Sequence, residues 1–128
     1  MLQLQILPQS LTVCKVAELG GFDMAGLYFI GNTGEELSLV CETWRTPAQT
    51  LAREDGWRAL RVMGPLEFGL TGILAGIAAA LAAANIPIFA VSTYDTDYIL
   101  VKAEDLACAV ETLRDAGYGV AENREQDM

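Results

Sequence analysis

The chain has 128 residues, with 8 Lys and Arg against 17 Asp and Glu, no histidine and three cysteines, giving a formal charge of −9 and a pI near 4.3. At 52% hydrophobic and 20% charged residues it is expected to fold, as one globular unit or as two small ones sharing a core. The missing histidine excludes Ser-His-Asp and Cys-His mechanisms and histidine-ligated metals, and the acidic balance leaves no basic patch to neutralise nucleic-acid phosphates.

In chain order, Met1 to Val13 has neither a basic n-region nor a small-residue cleavage site, so no secretory signal is read there and a cytoplasmic location is expected. Strands are predicted at Leu11 to Val16 and Leu27 to Ile30, with Ala17 to Gly26 standing where a helix would connect them. Gly31-Asn32-Thr33-Gly34 reads as a turn, and Glu36 to Glu42 as the strand after it. Thr46-Pro47 is predicted to open a short helix to about Glu54, with Thr as N-cap and Pro at the first helical position.

Trp57 to Met63 is a strand closed by Gly64-Pro65. A helix from about Thr71 to Ala84 follows, capped by Thr71, with Ile73, Leu74, Ile77 and Leu81 at helical spacing. Ile86 to Thr93 and Tyr98 to Lys102 form a hairpin through Tyr94-Asp95-Thr96-Asp97. Ala103 to Ala116 is an amphipathic helix with Leu106, Val110 and Leu113 on one face and Gly117 as C-cap. Tyr118 to Ala121 is a last strand and Glu122 to Met128 a polar tail. The uncharged run from Phe68 to Tyr94 is long enough to cross a bilayer as one helix, but Asn85 and Pro87 break it, so a helix followed by a buried strand is predicted. Cys14, Cys41 and Cys108 each sit in an apolar stretch and are expected to be buried structural thiols.

The order βαββαβ after Trp57 is the ferredoxin-like plan, and the earlier segments resemble it with the first helix reduced. The fold class is therefore α+β, with a less regular first part over 1–56, the complete plan over 57–121 and the tail 122–128. No strong sequence repeat links the halves. Residues 65 to 128 carry three basic against ten acidic side chains, a net of −7, so any electrostatic preference is expected in the second half.

Three features bear on function. Ser92 to Tyr98 gathers two carboxylates, three hydroxyls and two tyrosines on one hairpin, which suits a hard cation, the ammonium or guanidinium of a small ligand, or simply a well-made turn. No metal is expected at Asp95 and Asp97, because two carboxylates are fewer than calcium or magnesium requires. Gly64 to Gly72 leads into the alanine-rich helix, whose N-terminal N–H groups attract an anion such as a carboxylate, although these glycines suit a tight turn equally well. One element favours a carboxylate and the other a cation, and an amino acid has both. Finally, Gly72 to Ala84 has no charged residue on any face, which points to a covering partner such as a second subunit, or to an alanine face that merely favours helix. No nucleophile and base pair is visible, and no cofactor is implied.

The segments Glu35 to Cys41, Gly64 to Phe68, Thr71 to Leu74, Ile88 to Lys102 and Asp105-Leu106 resemble the small bacterial ACT-domain proteins and the first half of the animal cytosolic arginine sensors. That resemblance implies two ACT-like modules in tandem, the first, over 1–56, degenerate, in a regulatory protein that binds a free amino acid at an interface between modules or subunits. It implies no catalysis, and allows a homodimer and a regulated partner protein. It carries ligand contacts onto Phe68, Gly69, Leu70, Thr71 and Gly72 after the first strand, onto Pro87 and Ile88, and onto Thr93, Tyr94 and Asp97 of the hairpin. The arginine sensors have an acidic residue where this chain has Leu70, so the resemblance does not specify arginine. A protein-interaction or scaffold module with no small ligand is the alternative reading.

Overall fold

The computed structural model describes residues 2–63 and 72–122. They fall into two compact units, one of residues 9–57 and one of residues 2–8 with 58–63 and 72–122.

The unit of residues 9–57 contains β2 (Leu11–Lys15), β3 (Tyr28–Asn32), β4 (Leu37–Glu42) and the first part of β5 (Ala52–Val62). They lie side by side as β3-β4-β2-β5, every pair antiparallel. Among the described residues this unit has no α-helix. Residues 17–27 are irregular, and Phe22 from this segment takes the place of a helix face against Cys14, Val16, Leu39 and Cys41. Its ring meets Tyr28 edge to face at 5.6 Å, a favoured aromatic geometry.

The helix expected from Thr46 to Glu54 does not form. A 3-10 turn at Thr43–Arg45 closes with Thr46 N–H on the Thr43 carbonyl, and from Ala52 onward the chain is strand. Lys15, Cys14 and Val13 pair with Ala52, Arg53 and Glu54, so a ladder along β2 outweighs a local N-cap signal. The register shifts between Leu11 and Val13, and Gly56 opposite this step has φ +84°, the conformation a bulge asks of glycine.

The other unit has β1 (Gln3–Ile6), the rest of β5, α1 (Ile73–Ala83), β6 (Phe89–Ser92), β7 (Asp97–Lys102), α2 (Leu106–Asp115) and β8 (Gly119–Glu122). From β5 on, this is the expected strand, helix, strand, strand, helix, strand order of an α+β, ferredoxin-like fold. Its strands lie as β8-β1-β5-β7-β6. The insertion of β1 between β5 and β8 was not expected from the sequence: it runs antiparallel to β5 and parallel to β8. Ile77 and Leu81 of α1 and Ala109 and Leu113 of α2 are buried against Leu4, Ile6, Leu60, Val62, Ile99, Val101 and Val120 of the strands.

Both helices end in the same way. The N–H groups of Asn85 and Ile86 bond to the carbonyls of Ala82 and Leu81, and those of Gly117 and Tyr118 to Arg114 and Leu113, with positive φ at Asn85 and Gly117. These are Schellman caps, which satisfy the last carbonyls and turn the chain back to the sheet. At its start α1 is capped by Gly72, with φ +80°; Thr71, the expected cap, lies outside the described residues. A short 3-10 turn, Ala103–Asp105, takes up the expected first turn of α2. Cys14 and Cys41 are buried as expected, but Cys108 is exposed. Its neighbour Ala109 faces the core, which turns Cys108 outward.

The two units share a local design. The turn from Asn32 to Leu37 and the turn from Ser92 to Asp97 have the same bonds sixty residues apart: Thr33 N–H reaches the Glu36 carbonyl at 3.1 Å and Thr93 N–H the Thr96 carbonyl at 2.8 Å. In each the threonine hydroxyl accepts the N–H that closes the turn, from Glu36 at 3.2 Å and from Thr96 at 3.4 Å. The strands that follow, β4 and β7, are six residues long, repeat one burial pattern and run into a 3-10 turn. The repetition lies in turn geometry and periodicity, with little shared sequence to announce it.

Candidate functional site

The β6–β7 hairpin is held from within and from below. Ser92 pairs with Asp97 across the strand ends, and Ser92 Oγ donates to Asp97 Oδ1 at 2.5 Å. That bond fixes the direction of a half-buried carboxylate. Thr96 is 7% exposed, and its hydroxyl donates to the Val62 carbonyl at 2.6 Å. Val62 is the last residue of β5, so this bond fastens the hairpin to the strand end from which the chain leaves toward α1. Tyr94, at the tip, is 81% exposed.

Among the expected contacts, Thr93, Tyr94 and Asp97 are therefore together on one turn. Gly72 begins α1, whose first turn contains no acidic residue to occupy its N–H groups. Phe68, Gly69, Leu70 and Thr71 lie outside the described residues. Pro87, exposed, and Ile88, packed on the core, precede β6, while the hairpin follows it. Ile88 and Thr93 lie five residue steps apart along extended chain, about 17 Å at the rise of a strand. Within one chain the structure does not bring these two groups onto one small molecule.

Sequence reading passed over Thr96 as an anchor. Only burial distinguishes it from the exposed hydroxyl of Thr93, and a β-branched polar residue inside a turn gives no other signal. Among the described residues no group of three or more His, Cys, Asp or Glu side chains converges as metal ligands do, and no helix is long and apolar enough to cross a membrane.

Comparison with known proteins agrees with this architecture. Residues 52–115 match the ACT domain. The human cytosolic arginine sensor for mTORC1 subunit 1 is 39% identical over 66 residues, 51% of this chain and 20% of the sensor, and its rat counterpart 36% identical over the same length. The match thus spans about a fifth of those relatives. A solved structure from Agobacterium tumefaciens is 32% identical with a TM-score of 0.85, covering 95% of this chain and 93% of that one. The aspartate kinase of Clostridium acetobutylicum, an allosteric enzyme, shares the fold at 15% identity and a TM-score of 0.63, over 88% of this chain and 33% of the kinase. With half its length matched, over residues that form β5, α1, β6, β7 and α2 in that order, the chain belongs to the ACT domain family.

Proposed function

We propose that the protein is a cytoplasmic regulator that binds a free amino acid and has no catalysis of its own. The observation that carries this reading is the bond from Thr96 to Val62, which holds the Thr93, Tyr94 and Asp97 hairpin beside the end of β5. A turn with an oriented carboxylate offers one pole for an ammonium or guanidinium, and the N-terminus of α1, with no acidic residue in its first turn, offers one for a carboxylate. Phe68, Gly69, Leu70, Thr71 and Gly72 supply the second pole in this reading. Membership of the ACT family, and relatives named as arginine sensors, support an amino acid as the ligand class.

We further infer two modules in tandem and a homodimer. The repeated turn supports the first. For the second, Pro87 and Ile88 reach the same ligand as the hairpin only if another copy brings them, and the outer face of α1 exposes Ala75, Ala79, Ala82 and Ala83 without a charge. Light scattering between low and tens of micromolar protein tests this: a dimer mass is expected, and a strictly monomeric one overturns the shared site.

Thermal shift with each of the twenty amino acids tests the ligand. A compound bound only by the native protein stabilises it by about 2.7 kcal/mol at a hundredfold excess over Kd. Asp97→Ala is expected to weaken binding about tenfold or more, with circular dichroism unchanged. If no amino acid raises the melting temperature, or if Asp97→Ala responds like the wild type, the ligand reading falls and the scaffold reading replaces it.

A further inference from the structure

The unit of residues 9–57 holds two thiols that the proposed function does not use. Cys14 on β2 and Cys41 on β4 are buried in one apolar cluster with Val16, Phe22 and Leu39. The ladder puts them on one face of the sheet: Cys14 pairs with Leu39 and Cys41 with Thr12, so the cysteines are diagonal neighbours. Such neighbours stand about 7–8 Å apart, past the separation of about 7 Å that a disulfide tolerates. Two sulfurs joined through a metal ion reach further, because two metal–sulfur bonds of about 2.3 Å span about 4.6 Å. Cys41 Sγ also lies 3.6 Å from Thr46 Oγ1, a contact that orients it. Across the other side of β2, Arg53 pairs with Cys14 and so stands on the same face. Burial pushes both thiols up and the Arg53 guanidinium pulls both the other way, opposed by Asp55 at Cys14 and by Glu42 at Cys41.

We propose that Cys14 and Cys41 together bind one soft monovalent cation, copper(I), as a two-coordinate bis-thiolate. Ligand type and number select this ion. Thiolates favour soft cations, and among the described residues no group of three or more His, Cys, Asp or Glu side chains converges to complete the four ligands of zinc or the oxygen shell of calcium. Binding forms two metal–sulfur bonds and releases both thiol protons to solvent, with no change in oxidation state. Two thiolates and one monovalent cation together carry a single negative charge, and the Arg53 guanidinium on the same face offsets it. Phe22, from the irregular segment of residues 17–27, packs against both cysteines, so an ion enters by movement of that segment while β2 and β4 stay paired. The site shares no residue with the Ser92–Asp97 hairpin and stands or falls separately from it.

Anaerobic titration of the full chain with copper(I), against bicinchoninate as a competing chelator, tests the site. One ion per chain is expected in the wild type and in Cys108→Ser, whose exposed thiol is not a ligand. Loss of a partner outside the ligand shell weakens a metal site about tenfold to a hundredfold, so Arg53→Gln is expected to fall in that range and Cys14→Ala or Cys41→Ala beyond it. Circular dichroism must show both cysteine variants folded for that comparison. X-ray absorption on copper-loaded Cys108→Ser leaves the core untouched, and two sulfur neighbours with no nitrogen or oxygen are expected there. No copper held against the chelator, one ion per two chains that Cys108→Ser abolishes, nitrogen or oxygen around the metal, or wild-type affinity in folded Cys14→Ala overturns the site.

Discussion

Thr96 makes one bond that orders a whole turn. Its hydroxyl is buried and spends its proton on the Val62 carbonyl, so Thr96→Val keeps the shape and removes the bond. Leaving a buried carbonyl short of a donor costs about 1–3 kcal/mol, and urea denaturation is expected to report a loss in that range. A loss below about 0.5 kcal/mol would mean that water replaces the hydroxyl and that the hairpin is not fastened there. Gly26 is constrained in a different way: φ is +72°, and a Cβ would collide with the Glu42 carboxylate, which accepts the Leu27 N–H at 3.1 Å. Cys14 and Cys41 have thiols pushed up by burial, then for Cys14 by the neighbouring Cys41. A raised thiol pKa keeps the proton on in the folded state. Stability from these thiols is therefore fully present below the unfolded value, about 8.5, and lost as pH rises through the higher folded values. Melting temperature should hold through neutrality and fall above that point, less steeply in Cys14→Ala/Cys41→Ala. With a thiol reagent in native conditions, Cys108 is expected to react alone, being the exposed one.

Each helix is closed by a C-terminal cap as well as held by its apolar stripe. Asn85 has φ 62°, a conformation that costs most residues about 1–2 kcal/mol and glycine none. Asn85→Ala is expected to destabilise by about 1 kcal/mol and Asn85→Gly to be neutral or slightly stabilising, read from urea midpoints at constant slope. Equal effects would show that the left-handed turn is not what the residue supplies. Gly117 was legible as the end of α2, because a glycine after the last periodic residue has few other uses. Strands β6, β7 and β8 were legible as well, as short runs rich in β-formers bounded by turn signals. Two elements were hidden for identifiable reasons. Gln3–Ile6 alternates polar and apolar residues as a half-buried strand does, but only a partner on each side makes four residues into a strand, and both partners lie far along the chain. Thr46-Pro47 has a real N-cap signal, overruled by pairing with β2. At the candidate site, residue types were visible in sequence, whereas the separation of Pro87 and Ile88 from the hairpin required the direction of β6.

At the scale of the whole molecule, charge is the dominant feature left outside the packing. The chain carries −9 over 128 residues, and ion pairs join Arg45 to Asp23 and Glu42, and Arg53 to Asp55. The Arg53 pair is exposed, and pairs of that kind contribute little. Compaction brings the excess of carboxylates closer together than in the unfolded chain, so their mutual repulsion opposes folding. Salt weakens that repulsion, because the Debye length falls from about 30 Å at 0.01 M to about 8 Å at 0.15 M. The urea midpoint is therefore expected to rise with sodium chloride over this range while the slope stays constant. Potassium chloride should act equally, since screening depends on ionic strength and not on which monovalent cation provides it. A midpoint that falls with salt would show that attractive ion pairs outweigh repulsion. A rise with one cation alone would indicate a specific site instead of screening. Monitoring oligomeric state across the same series separates this effect from dimerisation, which salt would also favour between two negatively charged copies and which alone would make the midpoint depend on protein concentration.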